Sequence, residues 1–174
     1  VIISAGTICE RKNQLQILRA FHILSEADKA HTKLLFLGKG ELFDALNAEI
    51  ENLGESDRVF ACGYIPVSEV QNYFAISDLN VIASIDEGFG RAFVEGFLLG
   101  VPAVAYSDLD AVEDLYDECA MVKVPTRSDE ALSKGIAIAL QKKWDRNMIT
   151  SHAHEFSIRN MVTKYENLYE SLIQ

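Results

Sequence analysis

Short runs of apolar, often β-branched residues recur along the chain, and turn-forming residues bound each of them. Six of these runs are predicted to be strands: residues 1–5, 34–37, 58–62, 79–83, 103–106 and 121–124. Their apolar residues follow one another with little polar alternation, which is typical of strands that are buried on both faces. The pattern therefore predicts a sheet in the interior of the molecule.

Between the predicted strands, apolar residues return with the period of an amphipathic helix, most clearly in residues 15–24 and 42–53. A parallel connection between strands needs a crossover that is long enough to contain a helix. The alternation of strand and helix therefore predicts an α/β domain with a doubly wound, Rossmann-like parallel sheet that helices cover on both faces.

The last part of the chain has a purely helical pattern. Ser128 can cap a helix that continues through Leu140, and a final helix carries apolar residues from Met161 to Leu172. We expect this helical tail to pack on the sheet or on a neighbour outside the chain. No linker-like segment or internal repeat divides the sequence, so residues 1–174 are predicted to form one domain.

The charge and the cysteine content limit the classes of partner and indicate the cellular compartment. Sixteen Lys and Arg residues against 26 Asp and Glu residues give a net charge of -10, which argues against binding to nucleic acid. The three cysteines are an odd number and lie far apart, which is typical of a reducing, cytoplasmic compartment. The longest apolar runs, such as residues 92–99 with Glu95 among them, are too short for a transmembrane segment.

The chain begins at Val1, inside a predicted core strand, and has neither an initiator Met nor a signal-peptide pattern. We therefore expect it to be a piece of a longer protein.

Ligands of open parallel sheets bind beyond the carboxyl ends of the strands, so the loops at that edge are the first candidates for a site. The loop that begins at Gly6 carries Arg11 and Lys12 at the entrance of a helix, where an anion is favoured. The alternative is a solvated pair of surface cations. Gly38-Lys39-Gly40 adds a third cation, and its glycines would let a ligand approach the backbone, although the same pair also fits an ordinary tight turn.

The loop and helix after the fourth predicted strand carry two carboxylates, Glu87 and Glu95, with Gly88-Phe89-Gly90 between them. Glu95 stands in an apolar stretch, where a buried carboxylate is costly unless it meets donors such as sugar hydroxyls. Glu87 lies before the glycine turn, and Glu95 lies one to two helical turns after it, so both can face one pocket. The alternative is a capping acid and a buried ion pair.

The two glutamates, separated by seven residues and followed by Gly100-Val101-Pro102, resemble the donor-site motif of retaining glycosyltransferases of family 4. This family is also called glycosyl transferases group 1. The resemblance covers nearly the whole chain, because other segments fall in the family's order and spacing: residues 11–13, 38–40, 62–65, Ser84 and 122–125. It implies the C-terminal half of a GT-B enzyme, which holds a UDP- or GDP-linked sugar, with an N-terminal acceptor domain absent from this chain.

The resemblance implies a role for each matching position. Lys12 would bind the donor diphosphate, Glu95 the ribose hydroxyls, and Glu87 would lie by the transferred sugar. The backbone at Tyr64 and Ile65 would border the base. The predicted catalytic residues are Lys12, Arg11 and Glu87; the predicted donor-binding residues are Gly6, Lys39, Tyr64, Ile65, Gly88, Phe89, Gly90 and Glu95.

The chain departs from the family pattern at two places. Thr7 stands where many members have an Arg after the glycine, and Arg11 is the candidate to replace that cation. Residues 107–110 stand where the family often has a pair of glycines near the sugar.

Neither the residues nor the resemblance calls for a cofactor or metal, and His152-x-His154 is predicted to be exposed and not a metal site. The acceptor, a glycan or a lipid-linked sugar, and any contact with a membrane surface would belong to the absent half. The chain alone is therefore expected to bind donor and to be nearly inactive.

Two other classes stay open: a different GT-B enzyme, such as a nucleotide-sugar epimerase or a glycogen phosphorylase, and a non-catalytic sugar-nucleotide-binding or scaffold subunit. A dehydrogenase is disfavoured, because no glycine-rich turn follows the first strand with an acid about 20 residues further on.

Overall fold

Six parallel strands form a single sheet in the computed structural model, which describes residues 1–173. The strands are β1 (Ile2–Ala5), β2 (Leu34–Leu37), β3 (Val59–Gly63), β4 (Leu79–Ile82), β5 (Ala103–Tyr106) and β6 (Met121–Val124). Each bound differs from the predicted one by one residue or none. The predicted Rossmann-like α/β fold is confirmed.

Helices connect the strands and form the end of the described chain. They are α1 (Gln14–His22), α2 (Glu26–Lys29), α3 (Phe43–Asn52), α4 (Val67–Ala75), α5 (Arg91–Phe97), α6 (Asp110–Leu115), α7 (Asp129–Gln141), α8 (Arg146–His154) and α9 (Ile158–Ile173). A short 3-10 helix, Glu10–Lys12, precedes α1. The predicted cap is present, because the Ser128 hydroxyl accepts a hydrogen bond from the Ala131 amide at 3.1 Å.

The strand order is β3-β2-β1-β4-β5-β6. The chain therefore builds outward from β1 to β3, returns to the other side of β1, and continues outward to β6. Ile3 of β1 pairs with Leu35 on one side and with Asn80 of β4 on the other. Loops that leave β1 and β4 turn to opposite faces, which opens a crevice at the carboxyl edge of the sheet.

Apolar side chains cover the sheet in two main clusters. One gathers α1, α3 and α7 around residues such as Phe21 and Phe36, and the other gathers α5, α6 and α8 around Phe93 and Phe97. Trp144 packs against both clusters, and its indole Nε1 donates to the Ala139 carbonyl at 2.8 Å. The burial of these side chains supplies the main driving force that holds the helices on the sheet.

The final helix, α9, lies off the sheet, and none of its residues is buried. Its apolar residues repeat at helical spacing and are 44% to 85% exposed: Ile158, Met161, Val162, Tyr165, Leu168, Tyr169, Leu172 and Ile173. The expectation that the tail packs on the sheet is therefore wrong for α9, and a neighbour outside the described residues stays a prediction. None of the helices within residues 1–173 is both long and apolar enough to span a bilayer.

Candidate functional site

A cleft of about 660 Å³ opens at the carboxyl edge of the sheet, where the strand order reverses between β1 and β4. The loops after β1, β2, β3 and β4 contribute its walls. The structure brings all of the predicted site residues except Gly88 to this cleft: Gly6, Arg11, Lys12, Lys39, Tyr64, Ile65, Glu87, Phe89, Gly90 and Glu95.

Glu87 is the buried carboxylate of the cleft, with 9% of the residue exposed. It forms an ion pair with the Lys12 ammonium and accepts a hydrogen bond from the Ser84 hydroxyl at 2.8 Å. The nearest nitrogen of the Arg11 guanidinium lies 3.9 Å from its second oxygen. Two cations and a hydroxyl therefore compensate a charge that would be costly to bury alone.

The position of Lys12 follows from a tight local fold that the sequence did not predict. The cations lie on the 3-10 helix, and Asn13 then takes a left-handed conformation, with φ 54°, before α1 begins. The Gln14 side chain is buried and donates to the Thr7 carbonyl at 3.0 Å. The two cations therefore stand at the entrance of α1, on the short helix that precedes it.

Arg11 ties the loop after β1 to the loop after β4. Its Nη1 donates to the Asp86 carbonyl at 2.8 Å, and its own carbonyl accepts from the Ile85 amide at 2.8 Å. The guanidinium is still half-exposed at the cleft. Arg11 therefore fixes the wall of the cleft and keeps donors that can face an anion.

Glu95 is exposed, which corrects the expectation that it is buried among apolar residues. Helix α5 turns Phe93 and Phe97 into the core, so the intervening Glu95 faces the cleft. Within residues 1–173, its carboxylate takes part in no ion pair or hydrogen bond. Glu95 therefore keeps its solvation and is an open acceptor on the cleft wall.

The glycines of Gly38-Lys39-Gly40 allow two loops to approach each other closely. A Cβ on Gly38 would lie 2.0 Å from the Gly6 carbonyl oxygen, and one on Gly40 would lie 2.2 Å from the Ile8 carbonyl oxygen. The loops after β1 and β2 are therefore in close contact, and Gly38 also lines the cleft. This contact places Lys39, whose ammonium lies 5.5 Å from the centre of the Phe43 ring, at the rim of the cleft.

Arg91 is a cleft residue that the sequence analysis missed. It is exposed at the first position of α5 and lines the cleft beside Gly90. No ion pair or hydrogen bond in the described part of the chain involves its guanidinium. Its place directly after the Gly-Phe-Gly turn is the signal that could have identified it.

The loop at residues 107–110, where the family pattern departs, does not line the cleft. Asp108 is paired with Arg127 at 2.8 Å, and Arg127 also donates to the Ser84 carbonyl at 2.9 Å. The Arg127 guanidinium stands 4.7 Å from the centre of the Tyr106 ring. These contacts hold the loop against the connection between β6 and α7.

The prediction that both histidines of His152-x-His154 are exposed is wrong for His152 and confirmed for His154. The His152 ring is half-buried, and its Nε2 donates to the Leu115 carbonyl at 2.9 Å. Among residues 1–173, no three His, Cys, Asp or Glu side chains are grouped so that they could hold a metal ion.

A six-stranded parallel sheet with a cleft at its switch point, lined by cations and by carboxylates, is the Rossmann-like architecture found in GT-B glycosyltransferases. Residues 1–156 match the family model described as Glycosyl transferases group 1. The chain belongs to this family.

Similar proteins agree with this assignment. The chain is 28% identical over 172 residues to the O-antigen chain mannosyltransferase B of Escherichia coli, a match that covers 96% of the chain and 45% of the relative. It shares its fold with the lipopolysaccharide outer core galactosyltransferase WaaB, with a TM-score of 0.84 and 16% identity over 98% of the chain and 48% of WaaB.

The fold is also that of HepE from Anabaena, crystallised in complex with UDP, with a TM-score of 0.77 and 20% identity over 98% of the chain and 47% of HepE. The chain thus spans just under half the length of these proteins.

Proposed function

We propose that the chain is the donor-binding, C-terminal half of a retaining glycosyltransferase of family 4, which holds a nucleoside diphosphate sugar during transfer to an acceptor. The observation that carries the proposal is the composition of the cleft. Lys12 and Arg11 suit a diphosphate, and the open carboxylate of Glu95 suits sugar hydroxyls. The name of the E. coli relative and the UDP bound to HepE support the same class of donor.

Each part of the donor has a proposed place in the cleft. Lys12 binds the diphosphate, Glu95 binds the ribose hydroxyls, and Glu87, on the buried side, lies by the transferred sugar. The turn of Gly88-Phe89-Gly90 borders the sugar and phosphate. The remaining predicted contacts are the backbone of Tyr64 and Ile65 at the base, and Gly6 with Lys39 at the phosphate side.

During transfer, the bond between the anomeric carbon and the phosphate oxygen breaks. Negative charge then grows on the leaving diphosphate, and positive charge grows on the sugar. Cations that are already in place lower the barrier to this separation. Four basic side chains line the cleft, Arg11, Lys12, Lys39 and Arg91. We propose that they neutralise the leaving group without a resident metal or cofactor.

The acceptor, a glycan or a lipid-linked sugar, is proposed to bind a further part of the full-length protein. The exposed apolar stripe of α9 is the surface that we assign to contact with that part. Any attachment to the cytoplasmic face of a membrane would also be made by that further part of the protein. The chain by itself should therefore bind donor and transfer almost no sugar.

The proposal is tested by thermal unfolding of the chain with UDP, GDP, ADP and their common sugar derivatives. A ligand that binds only the folded state stabilises it by RT ln(1 + [L]/Kd), so tenfold excess over Kd should raise Tm by about 3 to 5 °C. We expect a rise with one base that is lost in Lys12→Ala and in Glu95→Ala. Lys134→Ala, an exposed cation on α7 away from the cleft, is the matched control.

Two outcomes would overturn parts of the proposal. If the folded chain is not stabilised by any of these nucleotides at millimolar concentration, it is not a donor-binding half. The hypothesis of a non-catalytic scaffold subunit is then favoured. The exposed Thr7, in the place of a cation, is the observation that supports that hypothesis. Rapid transfer to an acceptor by the chain alone would instead show that no further part is needed.

A further inference from the structure

A series of aromatic rings connects the Gly88-Phe89-Gly90 turn to the end of α8. The half-exposed ring of Phe89 meets Phe156 edge-on, with ring centres 6.4 Å apart and planes at 65°. Phe156 then meets His152 at 5.2 Å, with planes at 84°. Both separations and both angles are those of attractive edge-to-face pairs.

The far end of this series is fixed in the core. The His152 ring packs on Phe97 at 5.7 Å, and its Nε2 is held by the Leu115 carbonyl. Phe97 is fully buried and packs on Phe93. Phe156 therefore rests on a rigid support that reaches from α5 to the end of α6.

The turn itself is tightly held on one side and open on the other. Gly90 has φ 73°, and a Cβ there would lie 2.6 Å from the Phe93 ring. A Cβ on Gly88 would meet no atom within 4 Å. Glu87 is fixed by Lys12 and Ser84. The conformation of the two residues between these fixed points thus depends on where the ring of Phe89 rests.

We propose that Phe156 is a positioning residue for the cleft: it holds the ring of Phe89 and so keeps the backbone of the Gly88-Phe89-Gly90 turn in place before a ligand arrives. A preformed loop avoids the entropic cost of ordering on binding, so the contact raises ligand affinity without touching the ligand. The consequence for affinity rests on the proposed function, whereas the order of the turn does not.

The first test needs no ligand. Amide hydrogen exchange is measured in the wild-type chain, Phe156→Ala, Phe156→Leu and Met148→Ala, the last being an exposed apolar residue on α8. The amide of Phe93 donates to the Gly90 carbonyl at 2.9 Å, so its protection depends on the turn. In Phe156→Ala we expect this amide to exchange about two- to tenfold faster, as for the loss of one aromatic pair, while amides of β1 and β4 stay protected. Phe156→Leu should fall between, and Met148→Ala should match the wild type. Unchanged exchange of the Phe93 amide in Phe156→Ala would overturn the proposal.

The second test is a double-mutant cycle on the affinity for UDP and GDP, with Phe89→Ala, Phe156→Ala and both together. Phe156→Ala should weaken binding of the preferred nucleotide about two- to tenfold, and should have no further effect once Phe89 is absent. Additive losses would show that Phe156 acts by another route and would overturn the proposal. If the wild-type chain binds neither of these nucleotides nor ADP, the proposed function fails, and the exchange experiment still decides the role of Phe156.

Discussion

The ammonium of Lys12 and the carboxylate of Glu87 form an ion pair that joins the loop after β1 to the loop after β4, across 75 residues of sequence. Both side chains are largely buried, with 17% and 11% exposed. The pair stands at the point where the sheet reverses its order. The ion pair therefore closes one side of the cleft. It also means that Lys12, the cation that we assign to the diphosphate, is already paired with a carboxylate.

Because Glu87 competes with an anionic ligand for Lys12, Glu87→Gln should tighten the binding of UDP or GDP without sugar by about two- to fivefold. It should also lower the free energy of unfolding by about 1 to 3 kcal/mol, since Lys12 loses its counter-charge. Calorimetric titration and urea unfolding measure the two effects. Ser84→Ala, which keeps the charge of Glu87, should leave the affinity unchanged. Weaker nucleotide binding in Glu87→Gln would contradict the competition.

Glu95→Ala should weaken nucleotide binding about 10- to 100-fold, because a charged acceptor of ribose hydroxyls is worth about 1.5 to 3 kcal/mol. The same variant should make almost no difference to a nucleotide that lacks both ribose hydroxyls. Wild type and variant are each titrated with UDP or GDP and with the dideoxy analogue. The difference between the two losses in affinity measures the coupling between Glu95 and the ribose hydroxyls. Equal losses of affinity for both ligands would show that Glu95 does not bind the ribose hydroxyls.

Arg91→Ala should weaken binding of a nucleoside diphosphate about fivefold or more, and binding of the nucleoside hardly at all, if its guanidinium reaches the phosphates. Titration with uridine or guanosine, the monophosphate and the diphosphate locates the step at which the loss arises. Arg159→Ala, a change on α9, serves as the control. A loss that is already present with the nucleoside would instead place Arg91 at the base or the ribose.

Gly38→Ala should destabilise the fold by more than about 3 kcal/mol, because its Cβ would overlap the Gly6 carbonyl and its φ of 138° strains an L residue. Gly88→Ala is the matched comparison in the same cleft region. Its Cβ would meet open space, so a change below about 1 kcal/mol is expected. Urea unfolding compares them. A small effect at Gly38 would mean that the two loops can separate.

Burial raises the pKa of the Tyr106 phenol to about 12, from about 10 in the unfolded chain. Above about pH 10 the unfolded state releases this proton while the folded state keeps it, so stability falls as pH rises through this range. Relative to Tyr106→Phe, the wild type should lose about 2 kcal/mol by about pH 11.5. Urea unfolding at a series of alkaline pH values measures the loss. Tyr169→Phe, which changes an exposed tyrosine, should follow the wild type.

The sequence by itself determined the strands and the edge at which the site forms. Short continuous apolar runs such as residues 34–37 and 103–106 are typical of buried strands, and their bounds appear in β2 and β5 unchanged. Because parallel strands place their carboxyl ends at one edge, the loops with Arg11, Lys39 and Glu87 had to meet there. The family motif then gave these residues their expected roles.

Tertiary structure alone decided which of the candidate site residues are buried and which are exposed. The apolar stretch around Glu95 predicted burial, yet α5 turns that carboxylate outward, while Glu87 is buried against Lys12 from a remote loop. Tertiary structure also decided that Phe156 contacts Phe89 and that the apolar stripe of α9 is exposed. Periodicity along a chain reports how apolar a segment is, whereas burial depends on elements that are distant in sequence and meet only when the sheet has formed.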